Sequence, residues 1–367
     1  MGSALQDLVD RVQTARAAKA PLEIRGGGTK LFYGGVPRGE TLKTGALTGI
    51  SSYEPTELVV TVRAGTPLTE LEATLAEQRQ ALAFEPPRFG DGVDSKSGGT
   101  VGGMVAAGLS GPSRAAAGSL RDHLLGVKLL SGKAELLSFG GTVMKNVAGY
   151  DVSRLMAGSM GTLGLLCEVS LKVLPLPQAT VTVRMELTMG DAIERLNELG
   201  GLPLPLSASA WWDGMLVLRF AGAKAAVQAA QARVGGEVVE PVRARTFWDG
   251  LRDHRDEFFA GAATAVDHGA NLWRLSVPST TPPLALSGEQ LIEWGGAQRW
   301  LCTSAPAAVL RDAAASAGGH AVLFRGLDKR AGAFAPLTAA TARIHAELKR
   351  SFDPDGIFNP GRLVPVL

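Results

Sequence analysis

The chain is poor in cysteine, in net charge and in long apolar runs. Its two cysteines, Cys167 and Cys302, stand far apart among 367 residues. Two thiols cannot supply the ligands of an iron–sulfur cluster, and so sparse a count fits a reducing compartment rather than a disulfide framework. Basic residues exceed acidic ones only by 37 to 35, so no broad field for nucleic acid or an anionic membrane is implied. No uncharged apolar stretch reaches the ~18 residues of a membrane span. Met1 to Val12 lacks the apolar core of a signal peptide, so a cytoplasmic location is expected. The histidines (His123, His254, His268, His320 and His345) show no metal-ligand spacing, and no metal is expected. There is no strict G-x-G-x-x-G: Gly26/Gly28 and Gly90/Gly92 open with the right spacing, but Leu31 and Ser95 hold the third position. Gly132-Lys133 is followed by Ala134, so there is no P-loop either.

Glycine is abundant instead, 46 of 367 residues against a usual share of about 7%. The glycines concentrate in three stretches before residue 165. The central one runs from Ser97 to Pro112, where six of sixteen residues are glycine, including Gly98, Gly99, Gly102 and Gly103 around Thr100. So few side chains let a ligand lie against backbone, and amides at the start of a small-residue helix there suit an anion. Earlier, Pro21 to Arg25 reads as a strand entering Gly26, Gly27, Gly28, Thr29 and Lys30, a turn able to form an anion-binding nest. Later, Gly158, Gly161, Thr162 and Gly164 precede an alternating strand from Leu165 to Val173. Three small-residue segments, each beside a strand, suit one long ligand threaded between them, and a dinucleotide is the natural candidate.

These motifs, with Lys145-Asn-Val-Ala-Gly-Tyr-Asp151 and the ending Phe352-Asp-Pro-Asp-Gly-Ile-Phe-Asn-Pro-Gly361, resemble the vanillyl-alcohol-oxidase/p-cresol-methylhydroxylase (PCMH) family of FAD-binding proteins. Within it the chain is most similar to the smaller FAD-binding subunits of bacterial glycolate oxidases, through Val143 to Gly158 and Gly296 to Leu301. The resemblance implies an α+β fold: a PCMH-type FAD-binding domain of two α+β subdomains over 1–177, a smaller antiparallel-sheet cap over 178–334, and a C-terminal segment, 335–367, returning to the FAD domain. It implies FAD held by Arg25–Lys30, Ser97–Gly103 and Gly158–Gly164. Lys145, Asn146, Gly149, Tyr150 and Asp151 would lie near the flavin ring. Thr29 and Lys30 stand where relatives tether flavin through a histidine, so the FAD is expected to be non-covalent. The implied partners are a larger FAD-bearing catalytic subunit and an iron–sulfur subunit, through which the chain could lie peripheral to the inner membrane. The implied reaction is oxidation of glycolate, or a short 2-hydroxyacid such as D-lactate, to the 2-oxoacid.

Periodicity fills in the scaffold. Leu5, Leu8 and Val12 mark a helix. Leu58 to Ala64 reads as a strand, followed by a helix with Thr66 as N-cap, Pro67 at its first position and Leu68, Leu71 and Leu75 inward. Arg121 to Leu130 and Ala134 to Phe139 read as a hairpin with His123, read as a structural hydrogen-bonder, at its entrance. From about residue 178 the composition shifts toward Ala, Trp and Arg. Strands are expected at 181–187, 215–220, 272–277, 290–294, 299–302 and 320–324, with helices capped by Asp191 and over 223–234, 305–317 and 339–350. This alternation suits an antiparallel sheet with helices on one face.

A 2-hydroxyacid oxidation needs an arginine for the carboxylate and a base for the hydroxyl proton. Arg299, His320 and Arg325 are the available candidates. The Gly-Asp-Gly-Asn-x-His pattern that carries part of the metal site in related dehydrogenases is missing, since Val93 and Asp94 follow Gly90-Asp-Gly92. That departure counts against oxidation by this chain alone. A self-sufficient dehydrogenase and a structural subunit with redox-idle FAD remain the alternative readings.

Overall fold

The computed structural model describes residues 2–90, 98–143 and 149–364. The chain forms two units. The first comprises Met1–Leu109, Ser119–Pro175 and Pro336–Leu367, the second Ser110–Gly118 and Leu176–Ala335. The domain boundaries expected from sequence put 110–118 with the first.

Among the described residues the first unit shows two apolar cores. One lies under an all-antiparallel sheet whose strands run, in spatial order, Ile50–Glu54, Val59–Arg63, Leu165–Lys172, Leu124–Leu130 and Leu136–Gly140. The helix Leu68–Glu77 packs Leu68, Leu71 and Leu75 into this core at 0% exposure, the stripe its spacing predicts. Each such side chain stabilises the fold by about 1.5–3 kcal/mol. The helix start differs from expectation. Pro67 is the N-cap, and the Thr66 hydroxyl accepts the Gly49 N–H at 2.9 Å instead. Thr66 is drawn out of the helix because its carbonyl accepts the Val101 N–H at 3.0 Å, while Pro67 bridges to Thr100.

The other core forms where the helix Ser3–Ala18 covers a parallel pair, Leu22–Arg25 and Glu40–Lys43. The C-terminal segment completes it: Ile357 and Phe358 are fully buried, and Phe358 makes a parallel bridge to Leu22. The helix Ala339–Phe352, capped by Thr338, delivers that segment. Its Lys349 donates at 2.7 Å to the Thr162 carbonyl, the Asp353 carboxylate and the Phe358 carbonyl, all buried. Asp353 also accepts the N–H groups of Ile357 and Phe358, at 3.1 and 2.8 Å.

The second unit is built on eight antiparallel strands in the order Glu237–Val238, Ala179–Glu186, Met215–Gly222, Leu206–Trp212, Glu289–Glu293, Gln298–Thr303, Asn271–Ser276 and His320–Arg325. Val183, Leu216, Leu218 and Phe220 pack against the helices Met189–Gly200 and Lys224–Val234. Trp273 and Leu275 pack on the same side against Ala307–Ser316. The alternate residues face a second helical layer, which corrects the expectation of helices on one face only. There, Trp248 of the helix Pro241–Asp253 donates to the Thr182 hydroxyl at 3.0 Å, and Phe259 of Glu257–Asp267 meets Trp300 edge-on. A sheet residue between two apolar neighbours can thus be buried too. Thr188, not Asp191, caps the helix at 189: its hydroxyl accepts the Asp191 N–H at 3.2 Å and donates to the Asp191 carboxylate at 2.7 Å.

Candidate functional site

The strand Leu22–Arg25 runs into Gly26, Gly27 and Gly28, the last with φ 73°. Tight turning follows: Leu31 donates to the Gly28 carbonyl at 3.3 Å and Tyr33 to the Lys30 carbonyl at 3.1 Å. The carbonyls of Gly28 and Lys30 are thereby used. Among the described residues, the amides of Gly26, Gly27, Gly28 and Thr29 donate no hydrogen bond. Four consecutive unengaged amides are a ready anion nest. Lys30 closes it, with its ammonium 3.4 Å from the Thr29 hydroxyl and 5.5 Å above the Phe89 ring centroid.

The first and second glycine segments meet backbone to backbone. A Cβ on Gly27 would stand 3.1 Å from Gly99 Cα, and one on Gly26 only 2.2 Å from Thr100 Oγ1. Gly98 lies behind the loop against Arg88, and Gly99 against Thr29. The helix Val101–Ala107 begins here, but its first amides are not bare, contrary to expectation. Val101 donates to the Thr66 carbonyl, Gly102 to the Ala64 carbonyl at 2.7 Å, and Gly103 to the Thr100 hydroxyl at 3.2 Å. Tertiary contacts consume the donors that an isolated helix would offer. Of the two glycine segments, the unengaged amides therefore belong to the first loop.

An open cleft of about 580 Å³ is lined by Glu23 to Leu31, Thr100, Gly103, Ala106, Ala107, Met160, Asn359 and Arg362. A second, of about 400 Å³, adds Thr44, Ala64, Gly102, Gly161, Gly164 and Leu166. They share Ile24, Gly26, Gly103, Ala106, Met160 and Asn359, so they adjoin along these residues and together make up the groove. Of the expected cofactor residues, Arg25, Gly26, Gly27, Gly28, Thr29, Lys30, Thr100, Gly102, Gly103, Gly161 and Gly164 line it. Gly158 packs instead against the end of the helix at Gly108, donating to the Val105 carbonyl at 3.0 Å. Thr162 is fully buried, with its hydroxyl on the Ser159 carbonyl. Gly149, Tyr150 and Asp151 do not line the groove. Tyr150 is 98% exposed, and Asp151 caps the short helix Val152–Leu155 and pairs with Arg154 at 2.9 Å. Ser97, Lys145 and Asn146 lie outside the described residues.

The charges in the groove are unequal in effect. Arg25 is held by the buried Glu23 carboxylate through two hydrogen bonds of 2.9 and 2.6 Å, so its charge is largely cancelled. Arg362 reaches into the loop from the C-terminal segment. Burial pushes its guanidinium down from the ordinary arginine range, with Glu23 opposing. Asn359 and Arg362 are not among the residues expected from sequence, although the Asn-Pro-Gly ending is the available signal.

The three candidate catalytic side chains do not converge. Arg299 pairs across the sheet with Leu275, on the side of the helix Ala307–Ser316. It is 1% exposed and donates to the carbonyls of Gly296 at 2.8 Å and Thr281 at 2.6 Å. Burial pushes its pKa down to about 10. His320 and Arg325 pair with Ser276 and Leu272, residues of the opposite face. They stand at the two ends of one strand, roughly 17 Å apart at ~3.3 Å per residue. Burial, then the charge of Arg274, lowers the His320 pKa. His123 is buried at the hairpin entrance, with Nδ1 3.3 Å from the Lys172 carbonyl and its ring against Phe84. Among the described residues no group of three His, Cys, Asp or Glu could hold a metal ion.

Residues 3–140 match a family model described as an FAD binding domain. Over 358 residues, covering 98% of this chain and 97% of the relative, the chain is 45% identical to glycolate oxidase subunit GlcE of Escherichia coli (strain K12). It is 30% identical over 196 residues to a D-lactate dehydrogenase of Archaeoglobus fulgidus, covering 53% of this chain and 42% of that protein. It is 29% identical over 180 residues to glycolate oxidase subunit GlcD of Bacillus subtilis, covering 48% and 37%. The chain thus spans less than half the length of these last two. Among solved structures, alkyldihydroxyacetonephosphate synthase aligns with a TM-score of 0.69 over 97% of this chain and 74% of that one, at 15% identity, a likeness of fold alone.

Proposed function

The chain belongs to the family of glycolate oxidase subunit GlcE, and on that premise we propose that it is the smaller FAD-binding subunit of an assembly oxidising glycolate, or a short 2-hydroxyacid such as D-lactate, to the 2-oxoacid. The row of unengaged amides from Gly26 to Thr29, on residues that line the groove beside Lys30, carries the reading. A diphosphate fits it: backbone N–H groups approach the anion without steric hindrance, and one ammonium adds charge. Arg25, tied to Glu23, shapes the wall rather than neutralising phosphate. Among the described residues no histidine lines the groove, which supports non-covalent FAD. The flavin supplies the hydride-accepting chemistry when bound. This chain's part is to hold the diphosphate, exclude water from the small-residue end of the groove and fix the cofactor against the strand Leu22–Arg25.

The separation of Arg299, His320 and Arg325 favours turnover that depends on a partner over oxidation by this chain alone. We infer a larger FAD-bearing catalytic subunit and an iron–sulfur subunit that takes the electrons onward. Cys167 and Cys302 are unpaired thiols, and burial raises that of Cys167 to about 12, away from metal-binding thiolate character. Among the described residues no helix is long and apolar enough to cross a membrane. Peripheral membrane association would come through the partners.

The test is an absorption spectrum of the purified chain before and after anaerobic glycolate. Flavin bands that survive gel filtration, leave the protein on acid precipitation and bleach only when the partner subunits are present are expected. Bleaching of the chain alone would make it a self-sufficient dehydrogenase. No flavin even after incubation with FAD would overturn the cofactor assignment.

A further inference from the structure

A loop that reserves its amides for a ligand cannot be held in shape by those amides. Its rigidity has to come through its carbonyls and through side chains from elsewhere. Both come here from the C-terminal segment. Asn359 accepts the Ile24 N–H at 2.8 Å and donates to the Met160 carbonyl at 2.6 Å, while its own N–H bonds the Leu22 carbonyl at 2.9 Å. One side-chain amide therefore ties the strand feeding the glycine loop to the turn of the third glycine segment. That turn is shaped for it: Gly161 has φ 71°, and a Cβ there would stand 2.6 Å from Asn359 Nδ2. Arg362 gathers the far side of the loop. Its guanidinium donates to the carbonyls of Tyr33 at 2.7 Å, Leu31 at 3.3 Å and Gly35, and Gly35 donates back to the Arg362 carbonyl at 2.9 Å. A planar fork of five N–H donors can hold several carbonyls at once, as an ammonium cannot.

We propose that Asn359 and Arg362 are positioning residues of the cofactor groove. They lock the strand that feeds the loop, the far side of the loop at 31–35 and the turn 158–164, so the amides of Gly26 to Thr29 are presented to a diphosphate already aligned. Preorganisation of this kind raises affinity by removing the cost of ordering the loop on binding. The proposal rests on the reading of the groove as the FAD site.

The test is FAD titration of the apoprotein, followed by flavin fluorescence, with the melting temperature of each apoprotein measured alongside. Asn359→Ala and Arg362→Met are expected to weaken FAD binding about tenfold or more, the loss of one or two hydrogen bonds. Arg362→Lys is expected to weaken it nearly as much. Ile357→Ala, which trims the same segment where it enters the core at a side chain that does not itself line the groove, is expected to lower the melting temperature at least as far yet keep FAD affinity within about twofold. Should Asn359→Ala not fold, Asn359→Ser is read in its place. Unchanged affinity in Asn359→Ala or Arg362→Met overturns the proposal. So does a loss of affinity in Ile357→Ala in step with its melting temperature, since the segment would then be merely structural. Full affinity in Arg362→Lys assigns Arg362 a charge role and overturns its positioning role. An unsubstituted chain that binds no FAD overturns the cofactor reading itself.

Discussion

Replacing Lys349 by methionine keeps the length of the side chain and removes a buried ammonium with three acceptors at 2.7 Å. What remains is the Asp353 carboxylate at 1% exposure, without its cation, and two carbonyls without that donor. Breaking a buried ion pair by removing one partner costs about 3–5 kcal/mol. Asp353 still accepts two backbone N–H groups, which places the expected loss toward the lower end, about 3 kcal/mol. At roughly 2–4 °C per kcal/mol for a unit of this size, the melting temperature should fall by about 6–12 °C. The chain offers a clean readout. All six tryptophans lie between Trp211 and Trp300, in the second unit, and all three tyrosines, Tyr33, Tyr53 and Tyr150, lie in the first. Tryptophan fluorescence thus follows the second unit, while far-UV dichroism follows the backbone of both units, so a first-unit transition shows as dichroism change without a tryptophan change. Lys349→Met should bring part of the dichroism change to lower temperature and leave the tryptophan transition in place. Adding Asp353→Asn removes the stranded charge while keeping an acceptor for Ile357 and Phe358, and should recover about half the loss. A cost below about 1 kcal/mol, or no recovery in the double variant, would refute the argument.

Gly26→Ala puts a methyl group 2.2 Å from Thr100 Oγ1, so the loop has to move. FAD affinity should fall about tenfold or more with a stability loss of only about 1–3 kcal/mol, and unaltered binding would show that the close approach is not required. Arg299→Met leaves the Gly296 and Thr281 carbonyls without their donor. It should cost about 2–3 kcal/mol in the tryptophan-reported transition and leave the KM of the assembled enzyme unchanged; a raised KM at normal stability would restore Arg299 as a substrate residue. Burial raises the Asp256 carboxyl from 3.8 to about 6, while it caps the helix at 257 through the Phe259 N–H. Between these values the folded state binds more protons than the unfolded one. Second-unit stability should therefore fall as pH rises from about 4 to 6, by about 1 kcal/mol once residual solvent contact is allowed for. Asp256→Asn should flatten that slope, and an unchanged pH profile would rule Asp256 out as its source.

Elements with a strict apolar period are legible in the sequence. Leu68, Leu71 and Leu75, the Ile193–Leu196–Leu199 stripe and the strand Leu165–Lys172 sit as their spacing predicts. Ser170 breaks the alternation by burying its hydroxyl against that of Thr61 at 2.8 Å. Elements with weak or two-sided patterns are not legible. The helix Pro241–Asp253 reads as a polar stretch, and only Trp248 and Leu251 betray its buried face. Helix starts shift where tertiary bonding competes for the cap, as at Thr66.

The composition of the glycine loops is local information. Chain stereochemistry lets glycine turn tightly and approach backbone closely, so Gly26–Gly28, Gly99 and Gly161 announce a groove wherever the rest of the chain goes. The sequence alone also carries the family, because 98% of the chain aligns with a relative at 45% identity. Which amides stay unengaged is settled only in three dimensions. The start of the helix at Val101 looks like the anion site by itself, but Ala64 and Thr66 supply acceptors from another part of the chain. Likewise Asn359 and Arg362 join the groove from more than 300 residues beyond the loop they hold, and Arg299 is separated from His320 and Arg325 by the pleat of one sheet. Hydrogen-bond partners and sheet faces are pairings between distant segments, and distance along the chain carries no record of them.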